Sequence, residues 1–394
     1  MQVLGRWGRA PPVGSEWDLF DERSASCGSG WHVAAAPATV AAAVLAALSL
    51  LVLKRNAGWA AVLAAAALLA TAGVWAGTRA RDAPVLATFL VVGDWGRLGQ
   101  YNQSGVAALM GRKAALEQPD FVISTGDNFY ESGLMSPSDE AFQVSFANLY
   151  SAPGLQVPWY AVLGNHDYGD NCDHAESEPP GCSTAGREFY SPLHQLDTAL
   201  VAADARWHLQ RSYQLVMAGG RVDLFFIDTS PFVQKYYDTE WADRIGGLTE
   251  QSWREGLAEL STLLARSRAD WKIVIGHHPP RSNGHHNNTQ ELLDLLEPVM
   301  EEHGVRAYLS GHDHNLEHIH LPGASVNYVI SGGGSKSDRG FIGAAHSQFQ
   351  WPASGFVAAR LTGDELVLEY LCYTAGAAGD DLEPCYVVRI PRLP

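Results

Sequence analysis

Positive charge is in short supply in this chain: 27 Lys and Arg stand against 43 Asp and Glu, a formal charge of -16. No stretch gathers enough basic side chains to neutralise a run of phosphates, so nucleic acid is not an expected partner. Cysteine is scarce too. Of the five, Cys27 stands alone, whereas Cys172 with Cys182 and Cys372 with Cys385 form two closely spaced pairs. Such pairs point to local disulfides and an oxidising compartment, and the sequons Asn102-Gln-Ser and Asn287-Asn-Thr agree with a secretory route. Internal repeats are lacking. What is plentiful is histidine, 15 in all, mostly after position 165 and next to Gly, Asp or another His.

At 394 residues the chain is long enough for one large domain with its own core. Residues 1–32 show no sustained periodicity and read as a weakly ordered arm. From Val33 to Leu53 the only polar side chains are Thr39 and Ser49, about the length of a membrane-crossing helix. Lys54, Arg55 and Asn56 interrupt this run, and a second apolar run covers 57–77. The expectation is a membrane anchor over 33–81 made of two helices, 33–53 and 57–77; a buried helical hairpin and a late-cleaved signal are the alternatives. Lys54 and Arg55 favour a cytosolic turn, whereas Arg79 and Arg81 pull the other way, so charge leaves the topology open. The cysteine pairs and sequons place the main domain, 84–394, on the lumenal or extracellular side.

From Leu86 onward short β-type runs each end in Gly and polar residues: ATFLVV before GDWG, FVIST before GDNFY, WYAVL before GNHD, WKIVI before GHHP, and AYLS before GHDH. They are too short for helices and rich in β-branched and aromatic residues. Helical stretches lie between them, clearest at 104–118, 248–268 and 289–303. The alternation predicts an α/β domain with functional loops at the C-terminal ends of strands. YQLVM-AGG-RVDLFFID and FVAARL-TGD-ELVLEYL read as hairpins, so antiparallel strands should supplement the sheet.

The five strand-end motifs supply Asp94, Asp127, Tyr130, Asn165, His166, Asp167, His277, His278, His312, Asp313 and His314. Carboxylate, phenolate, amide and imidazole at neighbouring loop tips suit two different metal ions. Anionic oxygens favour a trivalent ion such as Fe(III), and imidazole with amide suits a divalent ion such as Zn, Mn or Fe(II). Glycine ahead of each motif lets the backbone come close to an ion without a Cβ clash.

The order GDWG, GDNFY, GNHD, GHHP, GHDH is similar to the metallophosphoesterase signature, and the Tyr of GDNFY resembles the purple acid phosphatases within it. The likeness runs from about Leu86 to about Tyr373, including FFIDTS and SGGG. It resembles the small single-domain form, because the large plant form has an additional N-terminal β-sandwich. The resemblance implies a four-layer α/β/β/α sandwich, here preceded by the pair of hydrophobic helices. It implies that Asp94, Tyr130 and His314 bind a ferric ion, that Asp127 bridges, and that Asn165, His277 and His312 bind a divalent ion (Fe, Zn or Mn). His166 and one of His285 and His286, with the count from His277 favouring His286, would act on the substrate phosphate and protonate the leaving group. The implied activity is acid hydrolysis of phosphate monoesters by a metal-activated hydroxide, with small phosphorylated substrates and phosphoproteins as partners. The competing readings are a Mn or Zn phosphoesterase acting on diesters or pyrophosphates, and a silent membrane-bound phosphate-binding protein.

Other residues receive lesser roles. Asp167 and Asp313 are expected to orient neighbouring ligands, Asp228 to cap a turn, and Trp95 and His278 are candidates for lining the substrate mouth. The stretch 230–247 resembles the family's regulatory loop in length but has no Cys, which argues against proteolytic activation. The acidic loop 170–181 looks like an insertion near the mouth.

Overall fold

The apolar runs form strands because their side chains are buried on both faces. The computed structural model describes residues 8–9, 83–170, 189–337, 340–376 and 382–393. Its strands are β1 (Gly8–Arg9), β2 (Val85–Val92), β3 (Phe121–Ser124), β4 (Trp159–Ala161), β5 (Trp207–Leu209), β6 (Tyr213–Met217), β7 (Val222–Phe226) and β8 (Trp271–Ile275). They continue with β9 (Ala307–Ser310), β10 (Leu316–His320), β11 (Asn327–Ser331), β12 (Ser347–Trp351), β13 (Gly355–Thr362), β14 (Glu365–Cys372) and β15 (Tyr386–Pro391). Three longer helices follow the same order: α1 (Gln103–Glu117), α2 (Trp253–Arg266) and α3 (Gln290–Glu302).

The strands make two mixed sheets, one of seven strands in the order β15-β14-β13-β2-β3-β4-β5 and one of eight in the order β1-β6-β7-β8-β9-β11-β10-β12. In the first, β2 to β5 run parallel and β13 to β15 antiparallel; in the second, β7, β8, β9 and β11 are parallel. Alternation along β2 explains the layering. Phe89 and Val91 join Leu224, Ile273 and Leu309 in a core between the sheets, whereas Leu90 and Val92 pack with Val106, Leu109 and Met110 of α1 on the outer face. On the far side, Phe225, Val274 and Tyr308 meet Leu260 and Leu264 of α2 and Leu292, Leu296 and Met300 of α3. Strands covered on both faces read as continuous apolar runs, which is how they stand out in the sequence.

Both expected hairpins form, β6–β7 around Ala218–Gly220 and β13–β14. The helix expected over 248–268 begins later. Ser252 accepts a hydrogen bond from the Glu255 amide (3.3 Å) and caps Trp253–Arg266, leaving Leu248–Glu250 as a separate 3-10 turn. Cys372 and Cys385 are bonded, joining the end of β14 to the approach to β15. Cys172 and Cys182 lie outside the described residues, as do the apolar runs 33–53 and 57–77. So does the arm 1–32 apart from Gly8–Arg9, which pairs in parallel with β6. Among the described residues no helix is long and apolar enough to cross a membrane.

Candidate metal centre

The five motifs leave the C-terminal ends of β2, β3, β4, β8 and β9 and converge on one spot. Asp94, Asp127 and His312 all have positive φ (60°, 50° and 71°), a conformation that non-glycine residues adopt only when the surroundings compel it. The glycines ahead of them permit the crowding. A Cβ on Gly164 would stand 2.1 Å from Asp127 Oδ1, and one on Gly311 would stand 2.3 Å from Asp94 Oδ2.

Two groups of side chains share Asp127. On one side the Tyr130 hydroxyl lies 3.1 Å from Asp94 Oδ1, 3.0 Å from Asp127 Oδ2 and 3.1 Å from His314 Nε2. On the other, His277 Nε2 lies 3.4 Å from Asp127 Oδ2, 3.2 Å from Asn165 Oδ1 and 3.2 Å from His312 Nδ1. The seven residues expected as ligands are therefore brought together, and all seven are largely buried.

The electrostatics fit cations. His277 Nδ1 faces the Thr125 carbonyl (2.9 Å) and must donate to it, so Nε2 is the nitrogen left for the site. Asn165 donates its amide to Asp170 (2.7 Å), which turns Oδ1 toward that Nε2. Two acceptors thus meet unless a cation, proton or metal ion, lies between them. Burial opposes charge on His277, yet Asp127 and then Asp94 raise its pKa to about 9, a measure of how strongly the pocket attracts positive charge. Burial likewise pushes the Asp94 carboxyl well up. At Asp127 burial is more than offset by His277 and His166, and the carboxyl falls below the usual range. Burial keeps His312 well below its ordinary value and, with Arg97, lowers His314 to about 3, so both rings favour the neutral form that offers a lone pair.

The two outer histidines lie beside this cluster. His166 Nδ1 donates to the Glu131 carbonyl (2.6 Å), leaving Nε2 3.9 Å from Asp127 Oδ2. The His286 ring lies 4.2 Å from that of His312, and His285 stands beyond it, 5.4 Å from His286. Asp313 holds this loop, accepting from the His286 amide (2.8 Å) and the Ser282 hydroxyl (2.5 Å). Asp167 ties the GDNFY and GNHD loops together by accepting from the amides of Asn128 (2.9 Å) and Gly164 (2.9 Å) and from Gln195 (2.7 Å). Asp228 caps its turn at the Ser230 amide (3.1 Å) and also accepts from the Tyr168 hydroxyl.

Two expectations fail. Trp95 does not line the mouth: it is fully buried, donates to Ser124 Oγ (2.8 Å) and packs edge-on against Phe129, Tyr150 and Trp159. His278 is 1% exposed, with both ring nitrogens engaged by Thr229 and Tyr236 hydroxyls at 2.9 Å, so its closeness to His277 and His312 does not make it available to the site. The stretch 230–247 packs into the core through Phe232, Tyr236 and Trp241. Sequence reasoning missed Arg97, which covers Tyr130, the role of Asp170 in aiming Asn165, and Glu317, which accepts from the Asn283 amide (3.0 Å) and braces the His286 loop. The charge of Asp170, directly after GNHDYG, was the one signal at hand.

The chain is also similar to known proteins. Residues 87–316 match the calcineurin-like phosphoesterase family. The chain is 43% identical to purple acid phosphatase 3 of Arabidopsis thaliana over 71% of its own length and 72% of the relative's. It is 29% identical to human tartrate-resistant acid phosphatase type 5, over 77% and 90% respectively. Among solved structures, the fold is similar to GAP50, described as the anchor in the inner membrane complex of Plasmodium (TM-score 0.59, 21% identity, 79% of this chain and 90% of that one). It is also similar to the yellow lupin (Lupinus luteus) purple acid phosphatase PPD1 (TM-score 0.51, 18% identity, 78% and 54%). The chain belongs to the purple acid phosphatases, hydrolases of the calcineurin-like phosphoesterase family.

Proposed function

We propose that the protein hydrolyses phosphate monoesters at acid pH with two metal ions, a ferric ion held by Asp94, Tyr130 and His314 and a divalent ion held by Asn165, His277 and His312, with Asp127 shared. The observation that carries this reading is the meeting of the two donor groups at a single atom, Asp127 Oδ2, 3.0 Å from the Tyr130 hydroxyl and 3.4 Å from His277 Nε2. When bound, the pair supplies Lewis acidity, acidifying a water and drawing charge from the phosphate. The protein's own part is positional. Glu131 holds His166 so that Nε2 faces the centre, and the brace from Asp313 holds His286 against His312. These two imidazoles are placed to grip phosphate oxygens and to give a proton to the departing alkoxide.

Small phosphorylated molecules, and phosphorylated protein side chains among them, are the proposed substrates. The catalytic domain, 84–394, is assigned to a lumenal or extracellular space with residues 33–81 as its membrane anchor. The bonded Cys372–Cys385 pair supports the oxidising side of that assignment.

The test uses the full chain as isolated, without added metal. A broad visible band from ferric phenolate, together with hydrolysis of monoesters at acid pH in preference to diesters, is expected. Metal-loaded protein with no such band and a preference for diesters or pyrophosphates would replace this reading with the all-divalent one. Phosphate binding without hydrolysis of any ester would leave a binding protein.

A further inference from the structure

Arg97 is the basic side chain most closely engaged with the candidate metal ligands, yet it faces none of their carboxylates. Its guanidinium carbon lies 3.5 Å from the centre of the Tyr130 ring. The side chain is 6% exposed, and its Nε is buried with no hydrogen-bond partner among the described residues. Nη1 pairs with Glu131, whose side chain is 59% exposed. The stack is built in by the backbone: the Tyr130 amide donates to the Gly96 carbonyl (2.8 Å), and a Cβ on Gly96 would stand 1.9 Å from the Asn128 carbonyl oxygen. The Arg97 amide in turn donates to Gln103 Oε1 (2.9 Å), fixing the loop from the helix side. Arg97 and Tyr130 are thus held against each other by contacts that involve neither the guanidinium nor the phenol ring.

We propose that Arg97 acts through Tyr130 as a positioning residue that sets the electronic character of the phenolate bound to the ferric ion. This rests on the reading of Tyr130 as an iron ligand. A cation over the face of an aromatic ring attracts its π electrons, and the attraction is larger where water is excluded. The phenolate π electrons are also those that move to iron in the visible transition. A fixed positive charge on the ligand side stabilises the donor orbital more than the more distant acceptor, which raises the transition energy. The same charge weakens donation to iron and favours the ferrous state. Glu131, sitting at the exposed edge of the guanidinium, partly offsets that charge. Buried charges and hydrogen bonds near a metal ligand act on potential in this manner generally.

The experiment compares the full chain with its Arg97→Met and Glu131→Gln variants, each isolated with iron, by visible spectroscopy and by spectroelectrochemical titration. Arg97→Met is expected to move the band to longer wavelength and lower the iron reduction potential. Glu131→Gln, which leaves the guanidinium uncompensated, is expected to do the opposite on both counts. Shifts of opposite sign are not what a purely structural role would produce. If Arg97→Met fails to fold, Glu131→Gln carries the test alone, since it alters an exposed carboxylate. Iron-loaded variants with the band and potential of the unmodified chain overturn the inference and leave the proposed function standing. An iron-loaded unmodified chain with no band at all removes Tyr130 as a ligand, and the inference goes with it.

Discussion

The two sheets bring different chemistry to the same place. The loops after β2, β3 and β4 of the seven-stranded sheet carry Asp94, Asp127, Tyr130 and Asn165, which are all oxygen donors. The loops after β8 and β9 of the eight-stranded sheet carry His277, His312 and His314, which are all nitrogen donors. Each proposed ion needs members of both groups, so neither sheet owns a site. A centre built this way is a seam: whatever neutralises the crowded carboxylates also joins the ends of the two sheets, and metal affinity becomes part of the folded state's stability. The outer histidines follow the same division, His166 from the oxygen-bearing side and His286 from the imidazole-bearing side.

The sharpest way to break this comparison is at the one residue both groups use. Asp127→Ala is expected to lose both ions, lower phosphatase activity by at least about ten-thousandfold, roughly 5 kcal/mol of transition-state stabilisation, and reduce the melting temperature of the metal-loaded protein. Metal analysis beside activity decides it. Retention of one full equivalent would mean that the two halves are independent sites that happen to touch.

A smaller effect is expected from the imidazole-bearing side alone. His286→Ala should cost about a thousandfold in kcat on esters with poor leaving groups, within the usual reach of a positioned proton donor, and much less on activated aryl esters, which depart without a proton. Equal losses on both kinds of ester would remove the proton-donor role and leave His286 as a phosphate contact. His285→Ala, one residue away but beyond the His286 ring, is expected to leave both rates near their starting values.

Why the candidate ligands, with Asp167 and Asp313 beside them, were legible while Arg97, Asp170 and Glu317 were not has a physical basis. A ligand at the end of a buried parallel strand is announced twice, by the apolar run that precedes it and by the glycine that lets the chain turn, and both signals are local. Direction is not local in that way. Asp94 and Trp95 are neighbours, yet one enters the site and the other turns into the aromatic core beneath α1. His277 and His278 divide likewise, the second turning away to Thr229 and Tyr236. The supports join distant stretches: Arg97 reaches Glu131 and Tyr130, and Glu317 reaches Asn283. No short pattern marks such pairs, because each is fixed by how two loops meet after the sheets have packed. The late start of α2 is the reverse case, since Ser252 with Glu255 is a local cap that periodicity over 248–268 overrode.

The imidazole-bearing sheet also contains a histidine that belongs to its interior. His318 on β10 is 2% exposed. Its Nε2 donates to Asn327 Oδ1 (3.1 Å), so in the neutral ring Nδ1 accepts from the Tyr386 hydroxyl (3.0 Å). Burial, helped by His320 and opposed by the bond to Asn327, lowers its pKa to about 4. The folded value lies below the ordinary 6.5, so between these values the unfolded chain binds the proton and the folded chain refuses it. The contribution is therefore present above pH 6.5 and is lost as pH falls toward 4, by about 2 to 3 kcal/mol. Unfolding by urea across that window, on the full chain and on His318→Gln, isolates the effect, because acid release of metal is common to both proteins. The variant should show a flatter fall in stability with acidification. Matching pH slopes would mean that protonated His318 is accommodated in place.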